Sequence, residues 1–354
     1  MIVKTDCRYF KGDIPCYPHK KSGVHCANCS EYNKIDKNIL IIKLGAIGDV
    51  IRTTPIIRRL RAEFPNALIN WLTYSPEVLS KEWIDRILVV NPENIELIKQ
   101  IEFDWLIVLD KDPIAISLSK QIQAKRKSGF TIDEFGRAKP ISTPAEIHKW
   151  STGLFNDLSK INTKHYVEEM FDIIGYEFND EEYILDVDEN FTWDFDKNKK
   201  IVGLNTGCGG RWSSRLWPEE YWIELSKMLL ARNYEVILLG GEQENDKNIK
   251  IANSSGAKYL GHFNLAKFIS LVNECNIVVS AVTMAMHIAM GLKKQVIIFN
   301  SIFNKKEFYL YGRGEIVEPN PKCECYYSSI CPHESMKKIK PSEIFYIINK
   351  GTDG

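Results

Sequence analysis

The sequence lacks an excess of charge of either sign. Its 354 residues include 46 lysines and arginines against 46 aspartates and glutamates, so the formal net charge is zero. A balanced chain has no general attraction for nucleic acid or for an acidic membrane. It also lacks an apolar run long enough to span a membrane, and its first residues, MIVKTDCRYFKGD, lack the apolar core of a signal peptide. We therefore expect a cytoplasmic protein without a nucleic-acid partner. Peripheral association with the inner face of the membrane stays open.

Cysteine is nearly absent from the middle of the chain, where only Cys208 and Cys275 occur, although the chain holds nine. In the cytosol, thiols and metal ligands are more common than disulfides. The remaining cysteines form two terminal sets, and these sets predict two small appendages on a cysteine-poor body.

The N-terminal set has the spacing C-x8-C-x9-C-x2-C and consists of Cys7, Cys16, Cys26 and Cys29. Four thiolates satisfy a tetrahedral ion, and a loop-rich segment with little apolar content needs such a link. We expect a structural metal here, with zinc favoured over iron and unliganded thiols as the alternative. A nucleic-acid-binding zinc module is disfavoured by the zero net charge.

The C-terminal set is a weaker signal. It consists of Cys323, Cys325, Cys331 and His333, and it is either a second metal site or a source of ligands for the first.

From Ile39 onward, apolar strand-like runs alternate with helical segments. The runs are NILIIKL, ALINWLT, RILVV and DWLIVLD, and then KIVGLNT, YEVILLG, NIVVS and KQVIIF. This pattern predicts an α/β protein with two doubly wound parallel sheets that face each other across a cleft. A polar stretch at 186–200 separates the two halves. The predicted parts are a cysteine-rich arm (1–36), an N-terminal domain (37–190), a C-terminal domain (191–318) and a tail (319–354).

Three local predictions complete the secondary structure. One amphipathic helix is expected to run through DVIRTTPIIRRLRAEF from near Asp49. A second is expected in PEEYWIELSKMLLARN with Pro218 at its first position. The region 125–161 is expected to be mixed loops and short helices.

The stretch IIKLGAIGDVIRTTP places Gly45, Gly48 and Asp49 between a strand and a helix. In one interpretation the glycines form a tight turn and Asp49 caps the helix. In the other, the glycines let a substrate approach the backbone, and Asp49 is a general base that deprotonates a hydroxyl.

Two further segments suit a phosphate-bearing ligand. NTGCGGRWSSRLWPEEYW contains Thr206, Arg211 and Arg215 in a glycine-rich loop, and such amides, hydroxyls and arginines favour a diphosphate. The alternative for this segment is a flexible surface loop with incidental charge. In VVSAVTMAMHIAMGLKK, Thr283 opens a helix whose N-terminal amides suit phosphate. A lone histidine on an apolar helix, such as His287, is more often a core residue than a ligand.

In residues 38 to 300 these motifs follow the order found in glycosyltransferase family 9, the ADP-heptose heptosyltransferases of bacterial lipopolysaccharide core. ILIIKLGAIGDVIRTTPIIRRLRAEFPNALINWLT resembles the family's opening with its L-G-x-x-G-D turn. RLWPEEYWIEL resembles its K-x-W-P segment, and MAMHIAMGL resembles its D-[ST]-G-x-x-H-x-A-A block. The chain is identified as a divergent member with cysteine-rich ends.

The resemblance implies a GT-B architecture with an N-terminal acceptor domain and a C-terminal donor domain. It implies an inverting transfer of a sugar, heptose from ADP-heptose, without a metal in the transfer step. By this resemblance Asp49 is the general base, and Arg215 replaces the family's phosphate-binding lysine. Thr206 and Thr283 match positions near the donor diphosphate, and His287 matches the family's histidine.

One departure concerns the donor site. The aspartate of the family's D-[ST]-G-x-x-H block falls on Val282, whose side chain can accept no hydrogen bond. The alternative hypothesis is therefore a catalytically inactive binding or scaffolding protein on a GT-B fold. The cysteine-rich ends resemble family relatives that glycosylate proteins or other surface polymers. The acceptor is therefore open among lipopolysaccharide, another surface glycan and a protein, and so is oligomerisation.

Overall fold

The computed structural model describes residues 1–196, 198–210 and 212–350. The chain divides into two compact units that are not continuous in sequence. Unit 1 consists of Met1–Ala46, Thr53–Trp150 and Met170–Glu181. Unit 2 consists of Ile47–Arg52, Ser151–Glu169 and the described residues from Glu182 onward. The four-part division at 36, 190 and 318 stays a prediction.

Unit 1 contains a six-stranded sheet in the order β3-β2-β1-β4-β5-β6. All neighbouring strands are parallel except β5 and β6, which pair antiparallel. Every residue of β2 is buried, as expected for a strand covered on both faces. The strands are β1 (Asn38–Ile42), β2 (Leu68–Thr73), β3 (Arg86–Val89), β4 (Glu102–Val108), β5 (Gln123–Ile132) and β6 (Ala138–Pro140).

Unit 2 contains a five-stranded, wholly parallel sheet in the order β11-β10-β9-β7-β8. Together the wholly parallel sheet of unit 2 and the largely parallel sheet of unit 1 confirm the α/β class predicted from the alternation of apolar runs and helices. The strands are β7 (Ile201–Asn205), β8 (Glu235–Leu239), β9 (Ile277–Ala281), β10 (Gln295–Phe299) and β11 (Gly314–Val317).

Helices alternate with these strands. They are α1 (Tyr17–Ser22), α2 (Ile47–Ile51), α3 (Pro55–Glu63), α4 (Pro92–Lys99), α5 (Pro113–Gln121), α6 (Pro144–Leu154), α7 (Asn156–Ile161), α8 (Tyr166–Ile174), α9 (Glu219–Leu230), α10 (Asn245–Ser255), α11 (Leu265–Glu274), α12 (Met284–Gly291) and α13 (Pro341–Lys350). Among the described residues, no helix is long and apolar enough to cross a membrane.

The prediction of one helix through DVIRTTPIIRRLRAEF was wrong. The segment forms α2 and α3, separated by a turn, and Pro55 is the first residue of α3. Proline cannot donate to the preceding turn and clashes with it, so it starts a new helix instead of continuing the first.

Asp49 is the third residue of α2 and therefore not its cap. Pro218 likewise precedes α9 as its N-cap and is not its first residue.

The prediction of loops and short helices for 125–161 was also incomplete. Residues 123–132 form β5, a ten-residue strand that pairs in parallel with β4. Its N-terminal half is polar, which concealed the strand. Within the fold, Lys125 pairs with Asp104, and the Arg126 guanidinium lies 3.7 Å from the ring of Trp105.

Candidate active site

The candidate site lies in unit 2 and begins with an ion pair between α2 and the turn that follows it. Oδ1 of Asp49 lies 2.8 Å from Nη2 of Arg52, three residues later and just after the end of α2. The Asp49 side chain is about one-third exposed, at 35%, while that of Arg52 is only 11% exposed. The carboxylate can therefore meet an incoming group, and its partner is fixed in the interior.

Arg52 is held from two further sides. Its Nη1 lies 3.3 Å from Oε1 of Glu307, and its guanidinium lies 3.6 Å from the centre of the Tyr166 ring. Burial alone would lower the pKa of Arg52, but the charges of Asp49 and Glu307 outweigh burial and raise it. Arg52 is therefore a fixed positive charge that orients the Asp49 carboxylate.

Gly48, beside Asp49, makes room for α12. A Cβ atom at Gly48 would lie 2.7 Å from Cδ2 of His287 and 3.5 Å from the Cα atom of Met284, the first residue of α12. This glycine is therefore required for the close approach of α2 to α12. The approach brings Asp49 to the N-terminal turn of α12. Gly45 belongs to unit 1, and a Cβ atom there would meet only the Tyr74 ring at 4.0 Å.

His287 is buried and lies against the ring of Tyr183, with centroids 6.3 Å apart. Burial lowers the pKa of His287 to about 3, and the nearby charge of Arg52 acts in the same direction. The imidazole is therefore neutral at pH 7. Within the described part of the chain, no group hydrogen-bonds its buried Nδ1 atom.

The loop before α12 is tied to the loop after β7 by Arg215. One guanidinium nitrogen of Arg215 donates to the carbonyl of Val282, and Nη2 donates to the carbonyl of Cys208 at 3.1 Å. Burial lowers the pKa of Arg215. Val282 thus contributes a main-chain acceptor at the position where the resemblance to family 9 implies an acidic side chain. Arg211, predicted to bind phosphate, lies outside the described residues.

Thr283 and Thr206 lie at the carboxyl ends of neighbouring strands. Thr283 is the N-cap of α12, its side chain does not cap the helix, and its Oγ1 lies 3.1 Å from Oγ of Ser280. The Thr283 side chain therefore does not hydrogen-bond the amides of the first turn of α12. Thr206 is buried, and its hydroxyl donates to Asn248 at 2.6 Å. Thr206 thus anchors the loop from inside.

The structure brings the C-terminal cysteines together. Cys323, Cys325 and Cys331 form the only group among the described residues with three or more His, Cys, Asp or Glu ligand atoms all within 4.8 Å. The sulfur atoms of Cys323 and Cys331 are 3.5 Å apart. Burial opposes ionisation of Cys331, but hydrogen bonds from Ser335 overcome it and lower the pKa of the Cys331 thiol to about 6. His333 is exposed and is not part of the group.

The sequence pointed to Asp49 but gave no role to Arg52, Glu307 or Tyr166. For Arg52 a signal was present, because residues three apart on a helix are neighbours and an Asp–Arg pair is favourable there. Glu307 and Tyr166 carry no such local signal, since only the fold brings them to Arg52.

With this geometry established, the family follows from comparison with known proteins. Residues 100–312 match the family model for glycosyltransferase family 9 (heptosyltransferase). The chain belongs to glycosyltransferase family 9. It is thus a glycosyltransferase of the heptosyltransferase-like type, as the motif order predicted. No curated protein matches the sequence, so this glycosyltransferase is distant from known members.

Solved structures share its fold. A family 9 glycosyltransferase from Veillonella parvula is 16% identical with a TM-score of 0.68, covering 89% of this chain and 97% of that one. The E. coli ADP-heptose lipopolysaccharide heptosyltransferase II is 16% identical with a TM-score of 0.65, covering 88% and 98%. These likenesses confirm the predicted GT-B fold with two Rossmann-like sheets.

A third structure similar to this glycosyltransferase is TibC of enterotoxigenic E. coli, described as an iron-containing dodecameric glycosyltransferase. It is 11% identical with a TM-score of 0.55, covering 90% of this chain and 79% of that one. TibC has also been crystallised with ADP-D-β-D-heptose.

Proposed function

We propose that this family 9 enzyme is an inverting glycosyltransferase that moves heptose from ADP-heptose to a hydroxyl acceptor, with Asp49 as the general base. One observation carries the proposal. Asp49 is partly exposed, is held by the buried Arg52, and lies on a helix packed against the first turn of α12. A carboxylate so placed can receive a proton beside a site suited to a diphosphate.

In the proposed reaction, the acceptor hydroxyl gives its proton to the Asp49 carboxylate. The freed oxygen attacks the anomeric carbon from the face opposite the diphosphate. The bond between the anomeric carbon and the diphosphate oxygen breaks, and its electron pair leaves with the nucleoside diphosphate. Inversion follows because the attacking and leaving oxygens are on opposite faces. Asp49 ends the step protonated and returns its proton to solvent.

The leaving diphosphate gains negative charge, and the loops around α12 supply positive groups to meet it. We place it at the first-turn amides of α12 with Thr283 and Arg215 beside it, because helix N-termini and guanidinium groups stabilise phosphate oxygens. Thr206 supports the same loop from the interior. No metal ion is assigned to the transfer step.

The donor assignment is supported by two relatives. One is named an ADP-heptose heptosyltransferase, and TibC binds ADP-heptose. As acceptor we propose a hydroxyl of lipopolysaccharide core, another surface glycan or a protein. Cytoplasmic location, contact with the membrane surface and oligomerisation stay predictions, although TibC is dodecameric.

The test of the base is Asp49→Asn, which keeps the size of the side chain but cannot take up a proton. We expect release of ADP from ADP-heptose, with lipopolysaccharide core or water as acceptor, to fall by roughly a hundredfold to ten-thousandfold. Calorimetry should show unchanged affinity for ADP. The exposed Asp194→Asn is the matched control and should retain turnover. Full turnover by Asp49→Asn would contradict the role of Asp49, and absence of turnover by the parent chain would favour the inactive scaffold.

We also propose that Cys323, Cys325 and Cys331 bind one structural metal ion. Three sulfur atoms so close fit thiolate ligation of a single ion, with zinc favoured by the ligand type. A Cys323→Ser, Cys331→Ser variant should lose about one metal ion per chain. Unchanged metal content would contradict this site.

A further inference from the structure

The N-terminal arm, residues 1–36, has a defined backbone but almost no core. Pro18 is its only buried residue, although all 36 residues are described. The arm is closed on itself by a backbone pair between Cys7 and Lys34, with hydrogen bonds from Arg8 to Asn33 and from Ile35 to Asp6. So short a segment rarely holds such a shape without a covalent or metal link.

Four cysteines of the arm surround one small cavity. Its volume is about 30 Å³, and it is lined by Cys7, Cys16, Cys26 and Cys29 with Lys4, Tyr9, Phe10, Pro18, Val24 and Tyr32. All four are free thiols, so no disulfide accounts for their convergence. The rest of the wall is mainly apolar, and its one formal charge is the Lys4 ammonium, 3.9 Å from the centre of the Tyr32 ring.

The distances in the arm do not fit a single metal ion. A tetrahedral zinc ion with Zn–S bonds of about 2.3 Å holds every pair of its sulfur ligands about 3.8 Å apart. No three ligand atoms from the arm's cysteines and histidines lie within 4.8 Å of one another, since the C-terminal triad is the only such group in the described chain. His19 and His25 do not line the cavity. One ion therefore cannot take three ligands here.

The cavity itself gives a second argument. Sulfur atoms packed around one small ion leave no space between them for a water-sized sphere. The cavity in the arm has about 30 Å³, roughly twice the volume that one water needs. The space lined by the four cysteines is therefore larger than a single ion would fill.

We propose that Cys7, Cys16, Cys26 and Cys29 bind an iron–sulfur cluster. In such clusters the cysteines are distributed over two or four irons, so at most two cysteine sulfurs share an ion and three need not be close. Inorganic sulfide and iron fill the space between them. The apolar wall suits a group that is shielded from water, and the Lys4 ammonium offsets part of the negative charge of a thiolate-ligated cluster. This inference replaces the zinc ion that the spacing of the cysteines had favoured.

The test measures metal and acid-labile sulfide in the full chain after anaerobic purification. A Cys323→Ser, Cys325→Ser, Cys331→Ser background removes the contribution of the C-terminal triad. We expect equal amounts of iron and sulfide, about two or about four of each per chain, with broad visible absorption. Adding Cys26→Ser and Cys29→Ser should abolish both. Cys208→Ser in the same background is the matched control and should retain them.

Two results would overturn the cluster. One is about one zinc ion per chain without sulfide in the triad-free background, and the other is no metal at all in that background. If the Cys26→Ser, Cys29→Ser variant fails to fold, the iron and sulfide content of the background alone decides. The measurement is independent of sugar transfer, so failure of the proposed function would leave this result unaffected.

Discussion

At the scale of single residues, the proposed proton transfer depends on how the Asp49 carboxylate is held. The motif G-x-x-G-D made Asp49 a candidate general base from sequence, with helix capping as the alternative interpretation. The orientation of the Asp49 carboxylate could not be predicted from the motif. That depends on Arg52, which Glu307 and Tyr166 fix from distant parts of the chain.

Arg52 is expected to be a positioning residue. In Arg52→Gln the carboxylate loses its fixed partner, and we expect kcat to fall roughly ten- to a hundredfold with little change in KM for the donor. The acid limb of the pH profile should move to higher pH, because a carboxylate without a neighbouring cation is more easily protonated. Arg52→Lys keeps the charge and should restore that limb. An unshifted profile in Arg52→Gln would show that Arg52 is only structural.

His287 predicts how stability depends on pH. Its pKa is about 3 in the folded chain and 6.5 in the reference state. Between these values the unfolded state binds the extra proton, so stability falls as pH decreases from about 6.5 towards 3, by at most ~1.4 kcal/mol per pH unit. Urea unfolding of the wild type and of His287→Gln should diverge in slope below pH 6.5. Parallel slopes would mean that His287 is protonated in the fold.

At the scale of elements, the contact of α2 with α12 brings base and donor site together. Gly48 permits this contact because any side chain there would meet His287. In one of the two interpretations of the sequence the glycines make room for substrate, whereas the space beside Gly48 is filled by His287 of α12. The spacing of residues within one motif cannot predict a contact between two helices that are distant in sequence.

Gly48→Ala is therefore expected to destabilise the fold by about 1–3 kcal/mol, because its Cβ atom would lie 2.7 Å from His287. Gly45→Ala is the matched control, since its Cβ atom would reach only the Tyr74 ring at 4.0 Å. Urea unfolding midpoints of the two variants measure the difference. Equal midpoints would contradict the close packing of α2 on α12.

Strands were predictable from sequence where they are buried along their whole length and mostly apolar. β2, β8 and β9 are buried along their whole length and were found as apolar runs. β5 was missed because its exposed positions carry Lys125 and Arg126, whose partners lie on β4. The break between α2 and α3 was also missed, although Pro55 was a visible signal for it.

At the scale of the whole molecule, the two-sheet α/β class followed from the repeated alternation of strands and helices. Which segments of the chain make up each compact unit could not be predicted from that alternation. Two segments of the N-terminal half of the sequence belong to unit 2, namely Ile47–Arg52 and Ser151–Glu169. Their membership of unit 2 depends on tertiary contacts, such as those of Arg52 with Tyr166 and Glu307. Sequence alone assigns each segment to the half of the chain in which it occurs.

The proposed function requires that unit 2 binds a nucleoside diphosphate. Calorimetric binding of ADP, UDP and GDP to the purified chain tests it most directly. We expect saturable binding of ADP in preference to UDP and GDP, and weaker binding of ADP in Arg215→Ala because the diphosphate loses its guanidinium partner. Preference for UDP or GDP would contradict the ADP-linked donor. Binding of none of the three would contradict the donor site itself.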